Sequence, residues 1–245
     1  MDKPFQDTCC LVTGGSRGIG RSIVDSLIDH GAKVLCVARN ANSIKYKENY
    51  YPYHYDLFQK NQIDSFLKQL SEDSHFPDII IHNLGGSRQI TSDFASIEDW
   101  LSVWHFNFGI VVHLNNYFIP KWIEKNVSGK LIHVSSSATK TFSGYTPYIT
   151  AKAALNSYVK TIAYRYSKHG ILINAISPGA VNLPDRYFNT LSKEEPNKLT
   201  HFLNDHVALK RLAEPEEIAS VVLFLASRWS SYITGSIIEV DGGMY

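Results

Sequence analysis

A tyrosine and a lysine stand four positions apart in the second half of the chain, at Tyr148 and Lys152. Residues with this separation share one face of a helix. A nearby ammonium, together with the start of the helix, favours the phenolate form of a tyrosine. The pair therefore predicts a tyrosine with a lowered pKa that acts as a general acid or base. Taken alone, an ordinary tyrosine on an amphipathic helix is the default interpretation, because the chain contains 14 tyrosines.

A glycine-rich segment near the amino terminus is the second group of residues that suggests chemistry. Glycines let the backbone turn sharply between a strand and a helix, and they let a diphosphate approach without meeting a Cβ atom. The free N–H groups and the positive end of the following helix then hold the negative charge. The segment therefore predicts a dinucleotide site rather than only a tight turn. Its residues are Thr13, Gly14, Gly15, Ser16, Arg17, Gly18, Ile19 and Gly20.

The residues after the second predicted strand bear on which dinucleotide binds. A site for NAD usually places a carboxylate there to bind the ribose hydroxyls, whereas this chain has Ala38 followed by Arg39. Arg39 and Arg17 could bracket a 2′-phosphate through charge-assisted hydrogen bonds. We therefore expect NADP(H) in preference to NAD(H). The alternative is that both arginines are ordinary solvated surface residues.

The composition fits one globular domain. The chain has 245 residues, enough for a substantial core, and a formal net charge of +1. This charge gives no reason to expect nucleic acid or a membrane as a partner, and no metal site is predicted. Cys9, Cys10 and Cys36 lie in predicted strands, and the first two would point to opposite faces, so we expect no structural disulfide. With no apolar targeting core and no run of about 18 apolar residues, we expect a cytoplasmic protein.

Short β-type runs alternate with helical patterns along the chain, which predicts a parallel sheet covered by helices on both faces. The predicted strands span residues 8–13, 33–38, 51–55, 78–82, 130–136, 171–177 and 236–240. The predicted helices span residues 18–30, 60–72, 96–125, 147–168 and 216–227. Pro120 is the expected position of any kink. Residues 178–213 break the rhythm and predict an irregular loop and helix insertion that covers the substrate, within a single α/β domain of residues 1–245.

In combination these motifs are similar to those of the short-chain dehydrogenase/reductase family, and the resemblance extends over essentially the whole chain. Residues 13–20 match the family's glycine-rich turn, and Tyr148 with Lys152 match its Tyr-x-x-x-Lys motif. The resemblance implies a Rossmann fold, a doubly wound sheet of seven parallel strands in the order 3-2-1-4-5-6-7. It also implies hydride transfer between a nicotinamide and a carbonyl or secondary alcohol of a small molecule. Tyr148 would be the general acid/base, and Lys152 would lower its pKa and hold the nicotinamide ribose.

The same resemblance assigns further residues. Asn107 falls where the family keeps a helix asparagine that carries a proton relay. Residues 211–219 resemble the 3-oxoacyl-carrier-protein reductase-like branch. Family members commonly form homotetramers, built here on residues 97–125 and 147–168, so a tetramer or dimer is expected. Besides the glycine-rich turn, Arg39, Tyr148 and Lys152, the cofactor is expected to contact Asp56, Leu57, Asn83, Gly85, Pro178, Gly179 and Val181.

Three consecutive serines compete for the family's catalytic serine, which would stabilise charge on the substrate oxygen. Counting back from Tyr148 by the usual family spacing gives Ser135, whereas aligning the strand from Gly129 gives Ser136. A loop tolerates a deletion, but a one-residue slip of a strand reverses the face of every side chain. We therefore expect Ser136 to be the catalytic serine.

Two departures from the family pattern concern the walls of the site. Leu183 stands where the family often has a threonine that binds the carboxamide, so the backbone near Val181 or the side chain of Asn182 must replace it. Residues 84–88 also differ from the smaller family sequence near the cofactor. Candidate substrate contacts are Arg88, Thr141, Phe142, Tyr145, Tyr187 and Phe188, with Arg88 or Lys140 as ligands of an anionic substrate.

These departures leave a second hypothesis from another class. A regulator or scaffold could have kept the NADP site and lost productive substrate entry, although the set of Asn107, Ser136, Tyr148 and Lys152 speaks for an enzyme. A sugar epimerase that binds NAD shares the Tyr-x-x-x-Lys motif, but such proteins resemble a longer chain with a tighter glycine spacing.

Overall fold

Seven parallel strands form the centre of the molecule in a computed structural model that describes residues 3–43, 48–184 and 187–245. The strands are β1 (Cys9–Thr13), β2 (Lys33–Ala38), β3 (Tyr50–His54), β4 (Ile79–His82), β5 (Lys130–Val134), β6 (Leu172–Pro178) and β7 (Ile237–Val240). Their order across the sheet is β3-β2-β1-β4-β5-β6-β7, and neighbouring strands pair in parallel. This confirms the α/β fold class and the expected strand order.

Helices cover both faces of this sheet. The α-helices of the described residues are α1 (Gly18–Asp29), α2 (Lys60–Glu72), α3 (Ile97–Trp104), α4 (Ile110–Glu124), α5 (Ala138–Thr141), α6 (Thr146–Tyr166), α7 (Tyr187–Glu194), α8 (Pro196–His206) and α9 (Pro215–Ala226). On one face, α1 and α9 share a core with Val12 and Ile132. On the other, α2, α4 and α6 share a core with Leu11 and Leu131. Successive strand residues alternate between the two cores, which is why the strands are nearly continuous apolar runs.

The long helix predicted over residues 96–125 is interrupted. It begins after Ser96, whose hydroxyl accepts a hydrogen bond from the Asp99 N–H at 3.1 Å, a side-chain N-cap. His105–Gly109 then form a π-helical segment between α3 and α4, whereas α4 continues through Pro120. The departure from α-helical hydrogen bonding therefore lies at His105–Gly109 and not at Pro120. Such segments occur frequently at functional sites.

The described part of residues 178–213 contains the helices α7 and α8, which the sequence pattern alone did not locate within the expected loop and helix insertion. α8 begins with Pro196, whose fixed φ suits the first helical turn. The two helices are short, and aromatic residues such as Phe188 pack over a small core near Met244. Short helices with few apolar positions give a weak periodicity, which explains why the pattern missed them. Residues 185 and 186 lie outside the described residues.

The cysteines follow the alternation of the strands. Cys10 belongs to the core beneath α1 and α9, whereas Cys9 packs on the opposite side of the sheet. Cys9, Cys10 and Cys36 are all free thiols. Within the described ranges, no helix is long and apolar enough to cross a bilayer, and the His, Cys, Asp and Glu side chains form no group able to hold a metal ion.

Candidate active site

The glycine-rich segment forms the turn from β1 into α1 at the carboxyl end of the sheet. Gly14 and Gly18 have φ angles of 67° and 57°, a region that favours glycine. A Cβ on Gly20 would lie 2.4 Å from Asn83 Nδ2, so the close packing there also requires glycine. The N-cap residue Arg17 makes no side-chain cap hydrogen bond. The first N–H groups of α1 therefore have no side-chain cap, as at helix termini that bind anions.

Asn83 and Thr13 join the ends of β1 and β4. Asn83 Nδ2 donates to the carbonyl oxygens of Thr13 at 3.0 Å and Gly14 at 3.1 Å. The Thr13 hydroxyl accepts from the N–H groups of Asn83 and Leu84, both at 3.1 Å. Both amide donors of Asn83 are thus used in supporting the glycine-rich turn, and a ligand would meet only its remaining atoms.

The residues expected at the adenosine end of the cofactor lie after β1, β2 and β3. Arg17 and Arg39 are both exposed, at the ends of the neighbouring strands β1 and β2. Asp56 Oδ1 accepts from the Phe58 N–H at 3.1 Å, which shapes the turn after β3. The side chain of Leu57 is 2% exposed and belongs to the core, so this residue can reach a ligand only through its backbone.

Tyr148 lies in the first turn of α6 and meets a serine that follows β5. The Ser136 hydroxyl faces Tyr148 and lowers the pKa of its phenol, and Ser136 Oγ accepts from the Ala138 N–H at 3.3 Å. Ser135, in contrast, is 3% exposed, and its hydroxyl has no partner within the described part of the chain. The strand register therefore brings Ser136, and not Ser135, to the tyrosine.

Lys152 is buried one helical turn after Tyr148, with 2% of its surface exposed. Its Nζ donates to the carbonyl oxygen of Val134 at 2.7 Å and lies 5.8 Å from the centroid of the Tyr148 ring. Burial lowers the pKa of Lys152 to about 8. The backbone of β5 thus holds the ammonium beside the tyrosine, in surroundings that disfavour its charge.

The effect of Lys152 on the pKa of Tyr148 stays a prediction, because the ammonium is not among the groups that shift this pKa here. Burial raises the pKa of Tyr148, and the Ser136 hydroxyl opposes part of that rise. Lys152 Nζ donates to the Val134 carbonyl oxygen. Burial of Tyr148 thus favours the protonated phenol.

Asn107 lies in the π-helical segment and is fully buried, with 0% exposure. Its Oδ1 accepts from the Gly86 N–H at 2.9 Å. Its Nδ2 donates to the carbonyl oxygens of Gly86 and Val103, both at 2.8 Å. Because both amide donors are used within the chain, this side chain can enter a proton relay only as an acceptor.

Gly85 separates Asn107 from Lys152. A Cβ on Gly85 would lie 2.7 Å from Asn107 Oδ1 and 2.9 Å from Lys152 Nζ. Real Cβ atoms do not come this close to other atoms, so any other residue would displace one of the two groups. Glycine at this position thus lets the amide and the ammonium approach the same point.

Comparison with known proteins decides which family this site belongs to. The family model described as Enoyl-(Acyl carrier protein) reductase matches residues 14–245. The 3-oxoacyl-(acyl-carrier-protein) reductase FabG of Salmonella typhimurium is 31% identical over 247 residues, which cover 98% of each chain. The chain belongs to the short-chain dehydrogenase/reductase family. Its members are oxidoreductases that act on CH–OH and C=O groups.

Solved structures of this short-chain dehydrogenase/reductase family contain nicotinamide cofactors. L-Sorbose reductase from Gluconobacter frateurii, complexed with NADPH and L-sorbose, has a TM-score of 0.89 and 28% identity, covering 100% of this chain and 98% of that one. The short chain dehydrogenase from Leptospira borgpetersenii with bound NAD+ has a TM-score of 0.88 and 25% identity, covering 99% and 94%. Because relatives bind both kinds of cofactor, the preference of this chain depends on its own residues.

The glycine-rich turn leaves open space above Gly18. Among the described residues, a Cβ on Gly18 would meet the side chain of Leu183 at an ordinary contact distance of 3.5 Å. Across the sheet, Gly179 packs tightly, because its Cβ would lie 2.7 Å from Asp241 Cα. The backbone after Pro178 therefore packs directly against that of Asp241 at the end of β6.

The threonine that the family often has after β6 is replaced by Leu183, and Asn182 does not substitute for it. Asn182 Nδ2 donates to Glu214 Oε1 at 3.1 Å, and Asn182 Oδ1 accepts from Asn189 Nδ2 at 3.2 Å. The amide is therefore directed away from the glycine-rich turn. Of the two replacements considered for the threonine, the backbone near Val181 remains available to bind the carboxamide.

The cations expected to bind an anionic substrate are engaged elsewhere. The Arg88 guanidinium lies 3.7 Å from the ring centroid of Phe58 and 5.5 Å from that of Phe106. Lys140 Nζ donates to the Met244 carbonyl oxygen at 2.9 Å and pairs with Asp241 at 3.4 Å. Both contacts fix loops of the chain, and the structure therefore gives no support to an anion site at either residue.

The other candidate substrate contacts divide into exposed and packed residues. Phe142 and Tyr145 are 79% and 42% exposed, and they lie in the connection from Ser136 to Tyr148. Tyr187 is 67% exposed. Two candidates are occupied by packing or hydrogen bonding: Phe188, whose ring centroid is 5.1 Å from that of Phe202, and Thr141, whose hydroxyl donates to the Ser137 carbonyl oxygen at 3.3 Å.

Two buried histidines next to this site were not predicted from the sequence. His82 ends β4, His133 lies near the end of β5, and their rings stack with centroids 4.7 Å apart. Both are at most 2% exposed. Their position could have been noticed, because each takes the place of an apolar residue in the alternation of its strand.

Proposed function

We propose that this chain catalyses NADP(H)-dependent hydride transfer between the nicotinamide and a carbonyl or secondary alcohol of a small molecule, with Tyr148 as the general acid/base. One observation carries the proposal: Lys152 Nζ lies buried 5.8 Å from the centroid of the Tyr148 ring, and the Ser136 hydroxyl faces the same tyrosine. Gly85 and Asn107 close the other side of the ammonium. An isolated tyrosine on an amphipathic helix would have none of these neighbours.

Each side chain has a distinct part in the reduction of a carbonyl group. When bound, the nicotinamide would supply the hydride for the carbonyl carbon. Ser136 donates a hydrogen bond to the substrate oxygen and stabilises the negative charge that develops there. Because burial raises its pKa, Tyr148 holds a proton on Oη at neutral pH and transfers it to that oxygen. The ammonium of Lys152 then stabilises the phenolate that remains.

The proposed cofactor residues surround the carboxyl ends of β1, β2, β3, β4 and β6. The N–H groups of the glycine-rich turn would bind the diphosphate, and Lys152 would hold the nicotinamide ribose. Arg17 and Arg39 would bind the 2′-phosphate, since the position after Ala38 carries a guanidinium instead of a carboxylate. The remaining proposed contacts are Gly14, Ser16, Gly18, Ile19, Gly20, Asp56, Leu57, Asn83, Gly85, Pro178, Gly179 and Val181.

The test follows NADPH oxidation by absorbance with a panel of 3-oxoacyl thioesters, ketoses and ketosteroids. Tyr148→Phe should abolish turnover of any accepted substrate and leave the affinity for NADPH nearly intact, because the ring keeps its place and loses only the hydroxyl. Tyr164→Phe is the matched control, on the same helix and 91% exposed, and should behave as the wild type. Full kcat in Tyr148→Phe would refute the assignment.

One contact favours a second candidate, a non-catalytic NADP-binding regulator or scaffold. Leu183 approaches the glycine-rich turn within 3.5 Å of the Cβ position of Gly18, where an apolar side chain cannot bind the carboxamide. NADPH oxidation with any member of the panel excludes this candidate. Binding of NADPH without turnover of the whole panel, unchanged in Tyr148→Phe, would support it.

We also propose a cytoplasmic homo-oligomer in which residues 178–213 cover the substrate. Ile97 and Leu101 on α3 are 66% and 59% exposed, and exposed apolar groups of this kind mark interfaces when they lie together. The free thiols fit a reducing compartment. Light scattering after gel filtration measures the assembly, and a monomer at all concentrations would contradict it.

A further inference from the structure

Four buried polar side chains lie directly beneath Lys152, on the side of the sheet that faces α4 and α6. His82 pairs with His133 across β4 and β5. Ser135 lies opposite Ser177, because the backbone hydrogen bond of Ser135 to β6 extends the register of the two strands. All four residues are at most 3% exposed. We call these four residues the polar layer.

Five atoms of the polar layer have no hydrogen-bond partner among the described residues. They are His82 Nδ1, both ring nitrogens of His133, and the hydroxyls of Ser135 and Ser177. His82 Nε2 is bonded, at 2.8 Å from Asn115 Oδ1. Buried polar atoms are nearly always hydrogen-bonded, because an unpaired one has lost its hydration without replacement. Five such atoms in one place point to a common partner.

The two imidazoles cannot be that partner for each other. Their planes lie 8° from parallel with centroids 4.7 Å apart, and ring nitrogens donate and accept only in the plane of the ring. Both rings are neutral: burial lowers the pKa of His82 to about 4, and burial with the charges of His82 and Lys152 lowers that of His133. Each ring therefore offers one donor and one acceptor. Water matches this mixture, and a buried water makes about three hydrogen bonds.

We propose that His133 is a positioning residue for Lys152 and acts through ordered water molecules that the polar layer holds. Lys152 Nζ is bound to the carbonyl oxygen of Val134, the residue between His133 and Ser135. Water in the polar layer hydrates the ammonium on the side that faces the sheet. The Val134 carbonyl oxygen and Gly85 limit the movement of the ammonium on its other sides. The inference rests on the proposed function only in that the position of Lys152 matters for turnover.

Few other charged groups lie near Lys152 on the side that faces the polar layer. Within the described residues, α4 and β6 contribute uncharged side chains to this region, Asn115 and Ser177. Among the described residues, the titratable groups shown to face Lys152 or His133 are Tyr148 and His82. Removing the hydrogen-bonding atoms of His133 therefore changes mainly the hydration of the ammonium, and poorer hydration lowers the pKa of a lysine.

The first test measures the pKa of Lys152 from the 13Cε shift of protein labelled with 13C-lysine, assigned with Lys152→Met. His133→Leu should lower the midpoint by about one pH unit, because an apolar side chain cannot hold the water. His133→Asn, which keeps polar atoms, should restore most of the shift. His54→Asn, an exposed site on β3, is the control. An unchanged midpoint in His133→Leu overturns the proposal. Should that variant not fold, Ser135→Ala combined with Ser177→Ala carries the same expectation.

The second test is a high-resolution crystal structure of the wild type. Ordered water within hydrogen-bond distance of His133 is expected, and a dry polar layer overturns the proposal. Neither measurement uses cofactor or substrate, so a chain that reduces no carbonyl would contradict the proposed function and leave both readouts intact. In an active enzyme, His133→Leu should also lower the alkaline limit of kcat with little change in the KM for NADPH. A purely structural histidine would change stability and leave that profile in place.

Discussion

Asn107 and Gly86 hold each other by two hydrogen bonds, one in each direction. Asn107 Oδ1 accepts from the Gly86 N–H at 2.9 Å, and Asn107 Nδ2 donates to the Gly86 carbonyl oxygen at 2.8 Å. The pair joins the π-helical segment to the loop after β4, and this loop contains Gly85 beside Lys152. The position of the ammonium thus depends on an amide 45 residues earlier in the chain.

Asn107→Ala should destabilise the fold and reduce turnover together. The change leaves the N–H and C=O groups of Gly86 and the carbonyl of Val103 without their partner in a buried place. We expect the free energy of unfolding to fall by about 2–4 kcal/mol, measured by urea denaturation. Asn116→Ala, at an exposed position of α4, should change it by less than about 0.5 kcal/mol. Equal effects of the two variants would show that the paired amide contributes nothing special.

Gly85→Ala should impair turnover far more than stability. The new Cβ would lie 2.7 Å from Asn107 Oδ1 and 2.9 Å from Lys152 Nζ, so one of these groups must move. A displacement of this size costs about 100-fold in kcat, by the sensitivity of catalysis to misplaced groups. Ser87→Ala in the same loop is the control. Wild-type kcat in Gly85→Ala would mean that the ammonium tolerates displacement.

Arg39→Glu should reverse the preference between the two nicotinamide cofactors. The substitution removes a charge-assisted hydrogen bond to the 2′-phosphate and adds a carboxylate that can bind ribose hydroxyls. The ratio of kcat/KM for NADPH over NADH should fall by about 100-fold, from the free energy of a hydrogen bond to a charged group. Arg228→Glu, at another exposed arginine, should leave the ratio unchanged. If both variants leave it unchanged, Arg39 does not contact the cofactor.

Lys152 should destabilise the fold at neutral pH. Burial lowers its pKa from 10.5 to about 8. Between these values the folded protein binds fewer protons than the unfolded chain, so the stability contribution of this group rises with pH. Below pH 8 the full cost is present, about 3 kcal/mol at 1.36 kcal/mol per pKa unit.

Lys152→Met should therefore raise the free energy of unfolding at neutral pH by about 3 kcal/mol. Its advantage over the wild type should shrink as the pH rises from about 8 to 10.5. Urea denaturation across this range measures the difference, with Lys160→Met, an exposed lysine of the same helix, as the control. A variant that is less stable than the wild type at pH 7 would contradict the prediction.

Much of the fold could be predicted because its determinants are local. The strands are apolar runs that a sheet buried on both faces requires, and the glycines of residues 14–20 stand where a strand turns into a helix. The choice of Ser136 over Ser135 as the serine that meets Tyr148 also followed from strand register. These features need only the periodicity of the chain and the geometry of one turn.

The features that could not be predicted depend on contacts between distant residues. The pKa of Tyr148 is set by burial, which the four-residue spacing to Lys152 does not reveal. Arg88 lies over Phe58, a residue 30 positions away in the chain. The sequence therefore did not reveal that the guanidinium packs on an aromatic ring. The π-helical segment likewise accompanies the pairing of Asn107 with Gly86, whereas the sequence offered only Pro120 as a reason for irregularity.

The π-helical segment also shows where the length of this helix can vary. It holds more residues per turn than the helices on either side, so one turn accommodates an extra residue. Deleting one residue from His105–Gly109 would restore regular hydrogen bonding and leave the residues that follow on the same face. Leu114 and Phe118, now fully buried, would still face the sheet. We expect the packing of α4 to survive such a deletion, while Asn107 loses its position opposite Gly86.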